Sequence, residues 1–216
     1  AGVAFFITLI LTLFFIQNFD DKQIGINIIA AVSMIFMVAL KDDLVLVPPK
    51  TRLAVEIIAI GLIIIFSEVY HLNFQGFLGL HEIPFIPSVV ITIIGMLGII
   101  NAYNLIDGVD GLASIIALII FGNFGLIFLT VENYFFFLIC VSFAGMLGAF
   151  LFYNFSKTKK IFMGDTGSLI IGFVIGLCAI EFLSMDPSML TKFSFLPENA
   201  LILLFSIVSI PIFDTF

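Results

Sequence analysis

The segment from residue 89 to residue 111 reads Val89-Val-Ile-Thr-Ile-Ile-Gly-Met-Leu-Gly-Ile-Ile-Asn-Ala-Tyr-Asn-Leu-Ile-Asp-Gly-Val-Asp-Gly111. Its apolar part ends at Ile100, and a polar, glycine-containing part follows directly. A second apolar run, Leu112–Leu129, begins after the last glycine. Carboxylates and carboxamides are costly to desolvate near a bilayer, so a polar segment between two apolar runs is a candidate functional site.

The rest of the chain has the same apolar character. It has 216 residues, of which 62% are hydrophobic and 11% charged, with a mean hydropathy of +1.30. Soluble domains carry about 25% charged residues. This composition excludes an ordinary soluble enzyme and indicates an integral membrane protein.

Apolar runs long enough, or nearly long enough, to cross about 30 Å of hydrocarbon recur along the chain. We place them at 2–17, 24–40, 51–67, 86–102, 112–130, 133–152, 168–184 and 199–213. The sequence therefore predicts an all-α, polytopic helical bundle with about eight transmembrane helices. We expect a single transmembrane catalytic domain, 1–216, truncated at both ends, because the chain opens inside one apolar run and stops at the edge of another.

The loops between these runs fall into two sets that differ in basic residues. One set carries six, namely Lys41, Lys50, Arg52, Lys157, Lys159 and Lys160, and the other carries only Lys22 and Lys192. Cytoplasmic loops are enriched in Lys and Arg, so the first set is predicted to face the cytoplasm. The dense polar motifs, and Asp214 after the last run, belong to this set. His71 and His81 lie in the other set, where we expect a surface role.

The first polar motif is Asp42-Asp43, at the end of the second run. Adjacent helical residues point about 100° apart, so a division of labour is expected, one carboxylate serving a metal or a proton and the other a nearby cation. A solvated helix end is the simpler alternative.

The second motif contains Asn104, Asp107 and Asp110, which share a face if a helical turn continues. A polar reverse turn is its alternative.

The third motif runs from Lys157 to Ser168 and contains Gly164-Asp-Thr-Gly-Ser168. Thr166 or Ser168 can cap the following helix, whose exposed N–H groups suit a phosphate. Asp165 suits Mg²⁺, which takes few carboxylates and keeps phosphate oxygens as ligands. A basic cytoplasmic loop followed by a capped helix explains the lysines equally well, but not Asp165. Together the motifs indicate phosphoryl transfer from a nucleotide-activated donor to a lipid phosphate.

These motifs, in this order, resemble the polyprenyl-phosphate N-acetylhexosamine-1-phosphate transferases. The resemblance rests on Asp42-Asp43, on Asn101-Ala-Tyr-Asn-Leu-Ile-Asp-Gly-Val-Asp-Gly-Leu112 and on Phe162-Met-Gly-Asp-Thr-Gly-Ser168. It implies transfer of a sugar-1-phosphate from a UDP-sugar to undecaprenyl phosphate, with Mg²⁺ (or Mn²⁺) and release of UMP. Isoleucine at position 106 resembles the bacterial GlcNAc-1-phosphate transferases more than the phospho-MurNAc-pentapeptide branch, where threonine is usual. The GlcNAc-1-phosphate transferases act in the first membrane step of cell-envelope polysaccharide synthesis.

The resemblance also implies roles for individual residues. Asp42, Asp43 and Asp165 are expected to be catalytic, and Asp165 and Asn104 to hold the metal. Substrate binding is expected from Asn104, Asp107, Asp110, Phe162 and Asn154, with Asp110 near the uracil and Phe162 stacking on it. Lys50, Arg52, Lys159 and Lys160 are candidates for phosphate contacts or for a purely topological role.

The sequence leaves other interpretations open. A phospho-MurNAc-pentapeptide transferase is the related alternative, and a CDP-alcohol phosphotransferase is a more distant enzyme. A cation-coupled transporter is the alternative from another class, and it would need ionisable residues at mid-span depth. Nearly all of them lie at the cytoplasmic ends of the runs instead, and the main exceptions, Glu56 and Glu181, lie near the edges of their runs. The expected location is the bacterial inner membrane. The expected partners are the UDP-sugar, undecaprenyl phosphate and membrane lipid but no nucleic acid, with a homodimer as an open alternative.

Overall fold

The computed structural model describes residues 1–16, 22–67, 72–193 and 195–213; Asp214, His71 and the side chain of Lys22 lie outside the described part. The helices in this part are α1 Gly2–Ile16, α2 Lys22–Leu44, α3 Pro49–Ser67, α4 Phe85–Leu105, α5 Leu112–Thr130, α6 Tyr134–Asn154, α7 Gly164–Leu183, α8 Pro187–Leu190, α9 Ala200–Ile207 and α10 Ser209–Phe213. No strand forms among these residues, where an isolated bridge pairs Asn73 with Glu82.

The predicted all-α membrane architecture is confirmed. In the described part, five helical segments are long and apolar enough to cross a membrane: Ile24–Leu44, Phe85–Leu105, Leu112–Thr130, Tyr134–Asn154 and Gly164–Leu183. The remaining predicted runs are helical too, but α1 has 15 residues and α3 carries Lys50, Arg52 and Glu56 near its start. Several helices continue past their apolar runs, so that polar residues occupy their ends.

The last predicted run, 199–213, is divided into α9 and α10 instead of forming one span. Proline provides the physical reason. Pro211 has no N–H to donate to the carbonyl of Ile207, and its ring would clash with that carbonyl in a continuous helix. The break falls at Val208, and Pro211 then lies in the first turn of α10.

Helix α7 forms the centre of the bundle. Every residue from Thr166 to Ile180 is buried, and α1, α2, α4 and α5 pack around it. The contact with α4 is especially close: a Cβ atom added at Gly172 would lie 2.9 Å from the Cα of Ile100 and 3.2 Å from its carbonyl oxygen. Small residues permit such close approach between membrane helices. The contact brings the last turn of α4, with Asn104, beside the first turn of α7.

The polar motifs gather at one end of the bundle, which we call the site end. There the Ala1 amine donates to the carbonyl of Phe162 at 3.2 Å, and the Gly111 amide donates to Asn154 at 2.7 Å. The opposite end is joined separately, for example by Asn133 donating to Glu181 at 2.8 Å. The three sequence motifs therefore meet at the site end although they are separated along the chain.

Gly172→Ala is expected to destabilise the protein, because its methyl group would press on backbone atoms of Ile100 that have little room to move. Overpacking of this kind costs about 1–3 kcal/mol. The matched control is Gly98→Ala on α4, where nothing lies within 4 Å of an added Cβ. Thermal unfolding in detergent should show a lower Tm for Gly172→Ala only. Equal Tm values for the two variants would contradict the close α4–α7 contact.

Candidate active site

Asp43, from the end of α2, caps the start of α7. Its carboxylate accepts hydrogen bonds from the backbone N–H groups of Asp165 at 2.8 Å and Thr166 at 3.2 Å, and from the Thr166 hydroxyl. The residue at the N-cap position itself, Met163, provides no side-chain acceptor. Asp43 therefore satisfies N–H groups that the helix cannot and places negative charge at the positive end of its dipole.

The expectation that Thr166 or Ser168 caps α7 is wrong. The helix begins at Gly164, so both residues lie inside its first turns. The Ser168 hydroxyl donates back to the carbonyls of Gly164 at 3.2 Å and Asp165 at 3.3 Å. A sequence pattern cannot show that an acceptor from another helix has replaced the local cap.

Asn104 connects α4 to the start of α7. Its side-chain nitrogen donates to Asp165 Oδ1 at 2.8 Å and to Ser168 Oγ at 2.7 Å. Its side-chain oxygen accepts from Arg52 Nη2 at 2.9 Å. The two residues predicted to hold a metal are thus in direct contact, but the Asn104 oxygen faces Arg52 rather than the space beside Asp165.

Arg52 is the centre of a largely buried polar network that sequence reasoning did not anticipate. Its Nε donates to Glu56 Oε1 at 3.1 Å, and its Nη2 also donates to Asn101 Oδ1 at 3.3 Å. Asn101 in turn donates to Glu56 Oε2 at 2.9 Å. The spacing of four residues between Arg52 and Glu56, which places oppositely charged side chains side by side on a helix, was the available signal.

Asp42 faces different partners from Asp43. One of its carboxylate oxygens accepts from the Val47 N–H at 2.8 Å, and the other lies 3.9 Å from Arg52 Nη1. The two adjacent carboxylates therefore separate, as the helical geometry predicts. Asp43 joins α2 to α7, while Asp42 shapes the α2–α3 connection and lies beside a cation.

Within the described part of the chain, two cavities open at the site end, and Asn104 lines both. The larger, of about 320 Å³, is lined by Asp43, Asn104, Asp107, Gly108, Val109, Asp110, Asn154, Phe162, Met163, Gly164 and Asp165. The smaller, of about 240 Å³, is lined by Asp42, Val47, Pro49, Arg52, Leu53, Asn101, Asn104 and Leu105. We call them the acidic cavity and the arginine cavity. Of the predicted catalytic, metal-binding and substrate-binding residues, all except Asp42 line the acidic cavity, and Asp42 lines the arginine cavity. Among the basic candidates for phosphate contacts, Arg52 lines the arginine cavity, whereas Lys50, Lys159 and Lys160 line neither.

One carboxylate of the acidic cavity, that of Asp107, has a raised pKa. The pKa of Asp107 rises from its ordinary 3.8 to about 6, chiefly because burial disfavours the charged form, and further because Asp165 and Asp43 are negative. A hydrogen bond from the backbone N–H of Gly164 offsets part of this rise. The cavity therefore carries an excess of negative charge that a bound cation would relieve.

The outer wall of the acidic cavity combines an ion pair with an aromatic ring. Lys160 forms a salt bridge with Asp110, and its ammonium group lies 5.2 Å from the centroid of the Phe162 ring. The Phe162 ring is exposed to the extent of 67%, so one face remains accessible. Such a ring beside a cation suits the flat, polar base of a nucleotide.

Asn154 is a buried connector between two loops of this wall. Its side-chain oxygen accepts from the Gly111 N–H at 2.7 Å, and its nitrogen donates to the carbonyl of Ile161 at 2.9 Å. Gly111 has a φ of +75°, in the left-handed region that favours glycine. Asn154 therefore fixes the position of the segment that carries Asp110 relative to the segment that carries Phe162.

The donor atoms present fit an Mg²⁺ ion that takes most of its ligands from water and substrate and only one or two from the protein. Among the described residues, no group of three or more His, Cys, Asp or Glu side chains converges to enclose an ion. Mg²⁺ in phosphoryl-transfer sites commonly takes one or two carboxylates and completes its octahedron with waters and phosphate oxygens. Asp165 and Asp107, on the wall of the acidic cavity, provide carboxylates of that kind.

Comparison with known proteins identifies the chain at family level. The model of glycosyl transferase family 4 matches residues 25–183, from the first turn of α2 to the end of α7, and so includes both cavities. Comparison with curated proteins gives no match. The family resemblance seen in the motifs is thus confirmed, and the chain belongs to glycosyl transferase family 4, the family of UDP-sugar:polyprenyl-phosphate sugar-1-phosphate transferases.

Proposed function

We propose that the protein transfers GlcNAc-1-phosphate from UDP-GlcNAc to undecaprenyl phosphate and releases UMP. Family membership supports the reaction class of polyprenyl-phosphate sugar-1-phosphate transferase. The observation that carries the proposal is the pair of cavities sharing Asn104, since one is rich in carboxylates and the other contains Arg52. A reaction between two phosphate-bearing substrates requires two such adjoining sites.

The acidic cavity is the proposed site of the UDP-sugar. Its volume of about 320 Å³ is at the lower end of the range for small-molecule sites, about 300–1,000 Å³, which fits a donor that is only partly enclosed. The uracil stacks on the accessible face of Phe162, and Asp110 lies near it. The diphosphate lies toward Asp165 and Asp107. Mg²⁺, when bound there, offsets the charge of the diphosphate and of the transition state.

The arginine cavity is the proposed site of the lipid phosphate. Arg52 provides a fixed positive charge, and the remaining wall includes the apolar side chains of Val47, Leu53 and Leu105. Leu105 is exposed to the extent of 69%, so apolar surface continues outward from the cavity. A polyprenyl phosphate has the matching character, with a charged head and an apolar tail.

In the proposed reaction an oxygen of the lipid phosphate attacks the β-phosphorus of the donor, which bears the sugar. The bond between that phosphorus and the bridging oxygen breaks, and the oxygen leaves with UMP. Arg52 holds the attacking phosphate, Asp42 orients it and accepts its proton when it is protonated, and Asn104 lies between the two substrates. Positioning of this kind provides most of the catalysis in phosphoryl transfer.

A two-step route through a phosphorylated Asp42 is the rival mechanism. Direct attack is favoured because the carboxylate of Asp42 is already engaged, accepting from Val47 N–H and facing Arg52. Under single-turnover conditions without lipid acceptor, we expect no phosphorylated Asp42 by mass spectrometry. Its accumulation, followed by decay on addition of undecaprenyl phosphate, would establish the two-step route.

The choice of GlcNAc over MurNAc-pentapeptide rests on the resemblance alone. Ile106, the residue behind that choice, is buried and lines neither cavity. Any effect of Ile106 on the choice of sugar therefore passes through the packing of the loop and not through contact with the sugar. The proposed location is the bacterial inner membrane with the site end in the cytoplasm, which the six basic residues of that end support.

The proposal is tested by UMP release from the full-length protein in detergent or nanodiscs. Release is expected from UDP-GlcNAc only when undecaprenyl phosphate and Mg²⁺ are both present, and EDTA should abolish it. UDP-MurNAc-pentapeptide is the parallel donor, and its exclusive use would transfer the protein to the peptidoglycan branch. No release from either donor would refute the proposal, and cation-driven flux through proteoliposomes would support the transporter alternative.

Asp165→Asn is expected to lower kcat at least about 100-fold, because removing charge at a phosphoryl-transfer site removes transition-state stabilisation. The fold should persist, since an asparagine oxygen can still accept from Asn104. Glu82→Gln is the matched control, as Glu82 is exposed at the opposite end of the bundle. Near-native turnover by Asp165→Asn would overturn the role of Asp165 at the metal.

Asp107 should make the stability of the metal-free protein depend on pH. Its pKa in the folded state is raised from 3.8 to about 6. Its contribution to the free energy of unfolding is therefore most favourable below about pH 3.8 and is lost as the pH rises through about 6. In EDTA, the Tm advantage of Asp107→Asn over wild type should therefore be larger at pH 7.5 than at pH 4.5. An advantage that is independent of pH would show that Asp107 is not electrostatically strained.

A further inference from the structure

Glu56 is a fully buried carboxylate that the proposed mechanism does not use. It has an exposure of 0% and lies in the second turn of α3. Both oxygens are occupied, one by Arg52 Nε at 3.1 Å and the other by Asn101 Nδ2 at 2.9 Å. It lines neither cavity. Glu56 therefore does not touch a substrate, and any contribution to the reaction passes through Arg52 or Asn101.

Glu56 restricts the orientation of the Arg52 guanidinium. This group is planar and presents its five N–H donors in a rigid fork. Nε is held by Glu56, and Nη2 is held by Asn101 and Asn104. With two edges of the plane occupied, the position of Nη1 is determined.

Nη1 is the part of Arg52 that is left for a ligand. In the described part of the chain, Nη1 faces the carboxylate oxygen Oδ2 of Asp42 at 3.9 Å. This distance is too long for a hydrogen bond. Nη1 and Asp42 both belong to residues that line the arginine cavity. A phosphate oxygen in this cavity could therefore accept from Nη1 without displacing any hydrogen bond of Arg52.

We propose that Glu56 is a positioning residue, which holds Arg52 so that Nη1 faces a phosphate oxygen of the polyprenyl-phosphate acceptor while Nη2 remains on Asn104. This inference rests on the proposed function, in which the arginine cavity receives the lipid phosphate. Without the Glu56 charge, Asp42 is the nearest remaining anion to Arg52. The guanidinium would then turn toward Asp42 and form the bidentate pair that arginine and carboxylate prefer. That movement would turn Nη1 away from the phosphate and release the Asn104 oxygen.

The first test measures binding and needs no donor. Wild-type protein in detergent should bind a short-chain polyprenyl phosphate at least about tenfold more tightly than the corresponding uncharged polyprenol, because a charge-assisted hydrogen bond is lost in the alcohol. Glu56→Leu should abolish this preference by weakening only phosphate binding. Glu56→Gln, which retains an acceptor for Arg52 Nε, should keep part of it. Glu181→Gln, a change of another acid at the opposite end, should keep all of it.

Two binding outcomes would overturn the proposal. One is equal binding of phosphate and alcohol by the wild type, and the other is an unchanged preference in Glu56→Leu. A purely structural role for Glu56 predicts a lower Tm and weaker binding of both ligands in parallel. Glu56→Gln keeps the comparison available if Glu56→Leu does not fold.

The second test uses the reaction and a double-mutant cycle. Glu56→Leu should raise the KM for undecaprenyl phosphate about tenfold or more and leave the KM for UDP-GlcNAc nearly unchanged. In the Arg52→Lys background, which lacks the Nε donor, the same substitution should add little, because the two residues act as one unit. Additive effects, or equal changes in both KM values, would refute the positioning role. An inactive wild type that still prefers the phosphate ligand would instead refute the proposed donor and leave Glu56 as assigned.

Discussion

The site depends on the capping of α7 by Asp43. Helix α7 is the most enclosed helix of the bundle, and Thr166 and Ser168 in its first turns are already buried. N–H groups at a helix start have no partner within the helix and need an acceptor from elsewhere. Asp43 supplies two oxygens to this start and thereby fixes the end of α2 against it. The same contact sets the position of Asp42, one residue earlier, and of Asp165, the first acid of α7.

A second constraint is the cost of placing charge near a bilayer. At the site end, hydrogen-bonding partners offset the cost of burying these charges. Glu56 and Arg52 neutralise each other, and Asn101 and Asn104 satisfy the remaining edges of both groups. Asp107, by contrast, lies near other carboxylates, and the hydrogen bond from the Gly164 N–H offsets only part of the rise that burial causes in its pKa. This difference separates a structural network from a surface that is ready for a cation, although both are built from the same residue types.

The sequence predicted the helices and the members of the site better than the contacts among them. Hydropathy located each run, since burial in lipid demands apolar residues over a fixed length. The motifs indicated that Asn104, Asp107, Asp110 and Asp165 belong to one site, and all four line one cavity. The helical turn that would have placed the first three on one face does not continue, because α4 ends at Leu105. The cap from Asp43 and the bridging by Asn154 join segments distant in sequence, and no local pattern encodes them. The four-residue spacing of Arg52 and Glu56 indicates an ion pair on one helix, but it does not show that Asn101 and Asn104, from another helix, complete the network.

Asn104 has an unusual place in this arrangement, because it lies on the wall between the acidic cavity and the arginine cavity. Its nitrogen is committed to Asp165 and Ser168, and its oxygen to Arg52. Turning the amide over would place its oxygen beside the Asp165 carboxylate and its nitrogen beside the Arg52 guanidinium, and both contacts are unfavourable. The orientation of the amide is therefore fixed by charge on both sides. Asn104 thereby ties the wall of the acidic cavity to the wall of the arginine cavity through one side chain.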